Sequence, residues 1–298
     1  MKREVLVLRE EEIRALLDPA ACIQAMEQAF AAYATGKAQL PPVINLEVPE
    51  YSGEVHIKTG HLSGGPYYAV KIASGFYNNA ALGLPSSSGM VLVFDSRTGA
   101  PAAFLLDNGF ITDLRTAAAG ALAAKCLARK QINTVAVIGS GAQARYQIRL
   151  LPLVRSFREV RVWGRSREKA EACVKDLRRA GIFGQPVFAA ADSVEHAVRD
   201  AEVVITVTAS REPLVRAEWL APGATVIAIG SDGPDKQELD VGVLARADRI
   251  VADSLPRASA WGKFIMPWSR AQSPRERSAL NWARLLPGSN PAAQATRN

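Results

Sequence analysis

Residues 134–144 read TVAVIGSGAQA, and the fold is decided there. TVAVI is a short apolar run of the kind that makes a strand buried on both faces. It runs directly into Gly139-Ser140-Gly141-Ala142-Gln143-Ala144, a G-x-G-x-x-A turn that enters a helical pattern, ARYQIRLL. In such a turn Gly139 permits the tight bend, Gly141 lets a pyrophosphate approach the backbone, and Ala144 lets helix pack against strand. The first N–H groups of the helix attract the anion. A glycine string by itself also serves as a plain structural turn. The strand before it and a second strand after it, REVRVWGRS, form a β-α-β frame that favours dinucleotide binding.

Further strands follow at AEVVITVTAS and ATVIAIGSD, with helical patterns between them. This spacing predicts a doubly wound parallel sheet from about Asn133 to about Asp253. The end of the second strand reads Trp163-Gly-Arg165-Ser166-Arg167, and no carboxylate occurs there until Glu168. An acid at this place binds a ribose 2′-hydroxyl, whereas arginine accommodates a 2′-phosphate. Arg165, Ser166 and Arg167 therefore favour NADP(H), with NAD the second choice; the competing reading is a solvated basic turn.

Toward the N-terminus, 113–129 is an Ala-rich run that predicts a closely packed helix. Between Pro41 and Asp107 come short β-type runs, VINLEV, EVHIKT, YYAVKIA, MVLVFD and AAFLLD, separated by Gly, Pro, Ser and Asn. These predict antiparallel hairpins. Residues 11–35 read as an amphipathic helical region. The expected organisation is α/β, with a β-rich α+β domain over 1–130, a dinucleotide domain over 131–256 and an atypical tail over 257–298.

The chain has 298 residues, 48% hydrophobic and 22% charged, with a formal net charge of +7. That composition excludes disordered, collagenous and disulfide-rich classes. Cys22, Cys126 and Cys173 lack metal-type spacing, so no metal site is expected, and a reduced, cytoplasmic setting fits. Neither a signal-type apolar segment nor a membrane-length run is present. Residues 251–298 hold seven Lys or Arg against two Asp or Glu, which is +5 of the +7. The basic balance belongs mostly to the tail and gives no support for nucleic-acid or membrane partners.

Three charged residues stand out. Lys71 interrupts an apolar alternation in YYAVKIASGF; it snorkels to solvent, meets a substrate carboxylate or acts as an acid/base after partial desolvation. Arg115 lies near the start of the Ala-rich helix, where a cation is disfavoured unless an anion is bound; a surface arginine is the alternative. Asp232 follows ATVIAIG at the carboxyl end of a strand, where such sheets place ligands, although an Asp in a glycine turn is also an ordinary Asx turn.

Taken together, AVKIASGFYNN, the run from GLPSSSG to LLDNGFITDLRTAAAGALAAK, VAVIGSGAQARYQ and IGSDGPDKQELD resemble the ornithine cyclodeaminase/mu-crystallin family over about residues 5–256. Within it they are most similar to the bacterial cyclodeaminase-like branch that includes ectoine-utilisation proteins. The resemblance implies a homodimer with an N-terminal substrate and dimerisation domain and a Rossmann second half. It implies that Lys71 contacts the substrate carboxylate or acts in proton transfer, that Arg115 binds substrate or cofactor near the nicotinamide, and that Asp232 is the acid/base group at the substrate nitrogen. It places Ala142 and Gln143 on the pyrophosphate turn, with Ser86 and Thr208 as further cofactor contacts. Two departures bear on the substrate. Many members carry an arginine after the PP pair, whereas Asn45 and its neighbours offer none. Ornithine cyclodeaminases carry a carboxylate in the segment that here reads VHIKT, with His56 and Lys58. The expected reaction is therefore reduction of a cyclic imino acid such as Δ1-pyrroline-2-carboxylate. Cyclodeamination of ornithine with NAD and a non-catalytic ligand binder are the alternatives.

Beyond VADS the resemblance implies a Gly-Glu-Ile-His-like helix and an ELGEIIAG…PGR motif, and neither is present. Regrouping one choice of codons for Gly262–Trp268 yields Gly-Lys-Ile-His-His-Ala-Leu. The same shift over Leu280–Pro291 yields Glu-Leu-Gly-Glu-Ile-Ile-Ala-Gly-Leu-Lys-Pro-Gly. This predicts that the chain left its ancestral reading frame near Leu255–Trp261, leaving a poorly packed tail and weakened activity.

Overall fold

The computed structural model describes residues 4–231, 233, 236–253 and 280–281. The shifted-frame prediction for the tail and the position of Asp232 lie outside the described residues. The chain divides into two compact units between Arg115 and Thr116, inside one helix.

The first unit is built on a seven-stranded sheet. Its elements are β1 (Leu6–Arg9), α1 (Glu10–Leu16), α2 (Pro19–Ala34), β2 (Ala38–Gln39), β3 (Ile44–Val48), β4 (Gly53–Leu62), β5 (Tyr67–Phe76), β6 (Ser87–Asp95) and β7 (Pro101–Leu106). The order is β1-β7-β6-β5-β4-β2, with β3 also paired to β4. The β4–β7 meander is antiparallel, as the short β runs predict, and β1 adds in parallel to β7. The helical region of 11–35 is two helices, because Asp18 restarts the chain: its side chain accepts from the Ala21 N–H at 2.8 Å, and Pro19 occupies the first helical position.

Helix α3 (Phe110–Leu127) follows β7. The buried Asp107 fixes its start, its Oδ2 accepting from the Ile111 N–H at 2.8 Å. Helix α1 holds the same corner: Glu10 accepts from Asn108 Nδ2 at 2.9 Å, and the Arg14 guanidinium lies 4.0 Å from the Phe110 ring centre.

The second unit holds β8 (Thr134–Ile138), α4 (Ala142–Leu150), β9 (Glu159–Trp163), α5 (Arg167–Arg179), β10 (Val187–Ala190), α6 (Val194–Val198), β11 (Val203–Thr206), β12 (Thr225–Ala228) and α7 (Val241–Arg246). Its five strands are parallel in the order β10-β9-β8-β11-β12. This is the doubly wound Rossmann arrangement that TVAVIGSGAQA predicts. The order reverses between β8 and β11, which opens a crevice at their carboxyl ends. Every residue of β8 and β11 is buried, packed with Ala197, Val198 and Ala201 on one side. Among the described residues no helix is long and apolar enough to cross a membrane.

Candidate functional site

The turn after β8 has the shape its glycines predict. Gly139 sits at φ +127°, and a Cβ there would lie 2.8 Å from the Val207 Cγ2 and carbonyl oxygen. Its N–H donates to the Trp163 carbonyl at 2.7 Å, which ties the turn to the end of β9. A Cβ on Gly164 would meet Ser140 Oγ at 2.5 Å, so that glycine makes room for the turn. Gly141 is different: a Cβ there would have nothing within 4 Å, so the backbone faces open space. Helix α4 starts at Ala142 with no side-chain cap on its first N–H groups. An open backbone cradle at an uncapped helix start fits a dinucleotide pyrophosphate. Ala144 is 0% exposed, the close helix–strand contact expected of it, and Gln143 accepts from Gln147 Nε2 at 3.3 Å.

One residue of this turn carries no motif. Arg145 donates through Nη1 to the carbonyls of Ser140 (2.7 Å) and Gly141 (3.1 Å), and through Nε and Nη2 to Asp176 (2.9 and 2.7 Å). It turns the loop carbonyls toward itself, which leaves the N–H side of the turn for an anion. The guanidinium also holds the Asp176 carboxyl below the usual carboxylate range.

At the end of β9 the three basic-turn residues separate into different environments. Arg165 is exposed in the loop. Ser166 caps α5, its Oγ accepting from the Lys169 N–H at 3.2 Å. Arg167 pairs with Glu171 at 2.7 Å and with Asp192.

On the other side of the crevice, Glu238 gathers the loops after β11 and β12. It is 1% exposed and accepts from the Thr206 hydroxyl (2.8 Å), the Thr208 N–H (2.6 Å), the Thr208 hydroxyl (2.7 Å) and the Ser231 N–H (3.1 Å). Burial pushes its carboxyl up, and the donated bonds from Thr208 and Thr206 act against that push. Gly230 passes so close that a Cβ would lie 2.1 Å from the Thr208 carbonyl. Thr208, expected at the cofactor, is thus held by Glu238. Sequence reading missed Glu238 because an acid in DKQELD looks like any solvated one.

In the first unit, Lys71 lies on β5 between Lys58 of β4 and Val91 of β6. Its Nζ donates to Thr112 Oγ1 at 3.1 Å, in the first turn of α3. Arg115 stands one turn further along that helix, on the Thr112 side. Lys71 and Arg115 are therefore brought to one end of α3. The positive charge of Arg115 also acts on Cys22, countering the upward push that burial gives the thiol. Ser86 is exposed just before β6, and its carbonyl accepts from the Phe76 N–H at 2.7 Å. Among the described residues no three His, Cys, Asp or Glu side chains gather as a metal site.

The fold and this turn define a dinucleotide-binding α/β protein. The chain belongs to the ornithine cyclodeaminase/mu-crystallin family, whose model matches residues 3–279. It is 43% identical over 262 residues to a putative dehydrogenase of Rhizobium meliloti, covering 87% of this chain and 78% of the relative. Among solved structures, it is similar to the iminosuccinate reductase of Paracoccus denitrificans in complex with NAD+ (TM-score 0.85, 29% identity, 97% and 87% of the two chains). It is also similar to the Thermococcus litoralis Δ1-pyrroline-2-carboxylate reductase in complex with NADH and L-proline (TM-score 0.78, 26% identity, 93% and 90%). Among the relatives are imine reductases, cyclodeaminases and an alanine dehydrogenase, and the two solved structures above hold NAD+ or NADH.

Proposed function

We propose that this protein reduces a small imino acid, a C=N bond conjugated to a carboxylate as in Δ1-pyrroline-2-carboxylate, with NADP(H) as the preferred cofactor. The observation that carries the reductive reading is the end of β9, where exposed Arg165 follows Gly164 and the sequence supplies no carboxylate before Glu168. A cyclodeaminase cycles one tightly held NAD+, whereas a reductase draws on a reduced pool, and an arginine there suits the 2′-phosphate. Of the three basic-turn residues, Arg165 is the one for that contact, since Arg167 is committed to two carboxylates.

Lys71 and Arg115 hold the substrate carboxylate, which orients the adjacent C=N carbon. Asp232 delivers the proton to the imine nitrogen. When bound, the reduced nicotinamide supplies the hydride, so that imine, NADPH and H+ give amine and NADP+. The turn from Gly139 to Ala144 anchors the pyrophosphate, and Thr208 and Ser86 are further candidates for cofactor contacts. The first unit also forms a homodimer: β3 exposes Ile44 and Leu46, a short apolar strand suited to a second copy.

Steady-state assays with Δ1-pyrroline-2-carboxylate and both reduced cofactors test this reading. Proline should form, with kcat/KM higher for NADPH than for NADH. Proline made from ornithine with NAD+ alone would replace it with cyclodeamination; NADPH binding without turnover of any imine would leave a ligand binder.

A further inference from the structure

We propose that Arg145 and Asp176 are positioning residues for the cofactor. The pair fixes two peptide planes of the glycine turn and so aims the Gly141 and Ala142 N–H groups at the pyrophosphate, which neither side chain touches. This deepens the reading of the turn as the pyrophosphate anchor and rests on it. Arg145 Nη1 donates to the Ser140 carbonyl at 2.7 Å and to the Gly141 carbonyl at 3.1 Å. The peptide bonds here are trans, and in a trans peptide an N–H points opposite to the C=O of the residue before it. The two held carbonyls therefore send the Gly141 and Ala142 N–H groups away from the guanidinium. Gly141 and Ala142 are both exposed, and a Cβ on Gly141 would have nothing within 4 Å, so that side of the turn is open.

Asp176, on α5, sets the guanidinium. Its Oδ2 accepts from Nε at 2.9 Å and from Nη2 at 2.7 Å, which leaves Nη1 facing the turn. Three nitrogens of one planar fork thus serve one carboxylate and two carbonyls, a task that a lysine ammonium, a point donor on a flexible stem, does not reproduce. Glycine permits wide backbone rotation, and α4 carries no side-chain cap that would fasten its start. Without the fork, the planes on either side of Gly141 are free to turn carbonyl oxygens toward an anion. The charge of Arg145 is matched by Asp176, so the pair contributes geometry to the site rather than net charge. The Asp176 side chain is 44% exposed, and an ion pair so open to water adds little to stability. Arg149 and Arg179 also act on Asp176, so removing Arg145 does not strand that carboxylate.

Calorimetric titration of the full chain with NADPH and with NADH tests this, and needs no imine turnover. Arg145→Met should bind both dinucleotides about 10-fold more weakly, the scale of one hydrogen bond to a charged group. Arg145→Lys should be about as weak, because it keeps the charge and loses the fork. Asp176→Ala should cost about threefold, and the double variant Arg145→Met/Asp176→Ala should be no weaker than Arg145→Met alone, since Asp176 acts only through Arg145. All four should melt within about 4 °C of wild type. Affinity of Arg145→Met within about twofold of wild type overturns the proposal, as does a loss confined to NADPH. Near-normal binding by Arg145→Lys beside weak binding by Arg145→Met makes Arg145 a direct cation on the phosphates and overturns it too. Additive losses in the double variant remove Asp176 from the device. If Arg145→Met does not fold, Arg145→Lys and Asp176→Ala carry the test with the same thresholds. If wild type binds neither dinucleotide, the cofactor reading of the turn fails, and melting with inorganic pyrophosphate decides the role of the pair. Pyrophosphate stabilising wild type but not Arg145→Lys supports it, and equal responses overturn it.

Discussion

In the second unit every residue of β8 and β11 is buried, and among the described residues the largest fully buried side chains, Leu122, Ile138, Ile148 and Leu177 among them, all lie there. In the first unit β3 leaves Ile44 61% and Leu46 57% exposed, and β5, at the centre of its sheet, is only half-buried. A parallel sheet is covered on both faces by its own crossover helices, so the second unit closes its core with its own chain. The first unit, mostly antiparallel, has fewer helices than sheet to cover. It places Lys58 and Lys71 opposite each other on adjacent strands and leaves apolar edge residues exposed. The dinucleotide turn is thus built from backbone held by a complete core, whereas the cationic face depends on side chains projecting from a sheet.

Four perturbations separate these two halves. The largest effect is expected for Gly141→Asp. Its Cβ meets open space, so the fold and oligomeric state should persist while a carboxylate opposes the pyrophosphate. Calorimetric titration should show NADPH affinity reduced by more than about 100-fold, or 2.7 kcal/mol. Replacing both Ile44 and Leu46 by Glu should do the converse: sedimentation should show a monomer at micromolar concentration, with NADPH affinity within about twofold of wild type. If the double substitution leaves the dimer intact, the contrast drawn between the units loses its main consequence.

Glu238→Ala should cost about 3 kcal/mol or more by denaturant unfolding, because the buried Thr206 hydroxyl and the half-buried N–H groups of Thr208 and Ser231 lose their acceptor. Cofactor affinity should fall with it, since both loops border the crevice. Arg165→Ala should weaken NADPH about tenfold and leave NADH unchanged; equal effects on the two would return Arg165 to the role of a solvated residue.

How much of this was legible in the sequence differs between the units for the same reason. The Rossmann turn is local: a strand, two glycines and a helix within eleven residues carry both the geometry and the chemistry. The doubly wound parallel sheet followed from the spacing of four strands, whereas β10, a four-residue VFAA, gave too little pattern to stand out, and the strand order came only from the structure. Arg145 and Glu238 act across 31 and 30 residues or more, on Asp176 and Thr208, and nothing in their immediate neighbours marks them. The apparent uniformity of Arg165, Ser166 and Arg167 also concealed three different fates, because Asp192, Glu171 and the first turn of α5 lie on elements brought close only by folding.

The sequence by itself determined the class of fold, the dinucleotide turn and the cationic candidates Lys71 and Arg115, since each depends on residue type and short spacing. Only the tertiary structure decided which of them meet. Pairing β4 with β5 put Lys58 opposite Lys71, and the Asp107 cap set the start of α3 so that Thr112 reaches Lys71. Register and helix phase are properties of packed elements, and packing couples residues far apart in the chain.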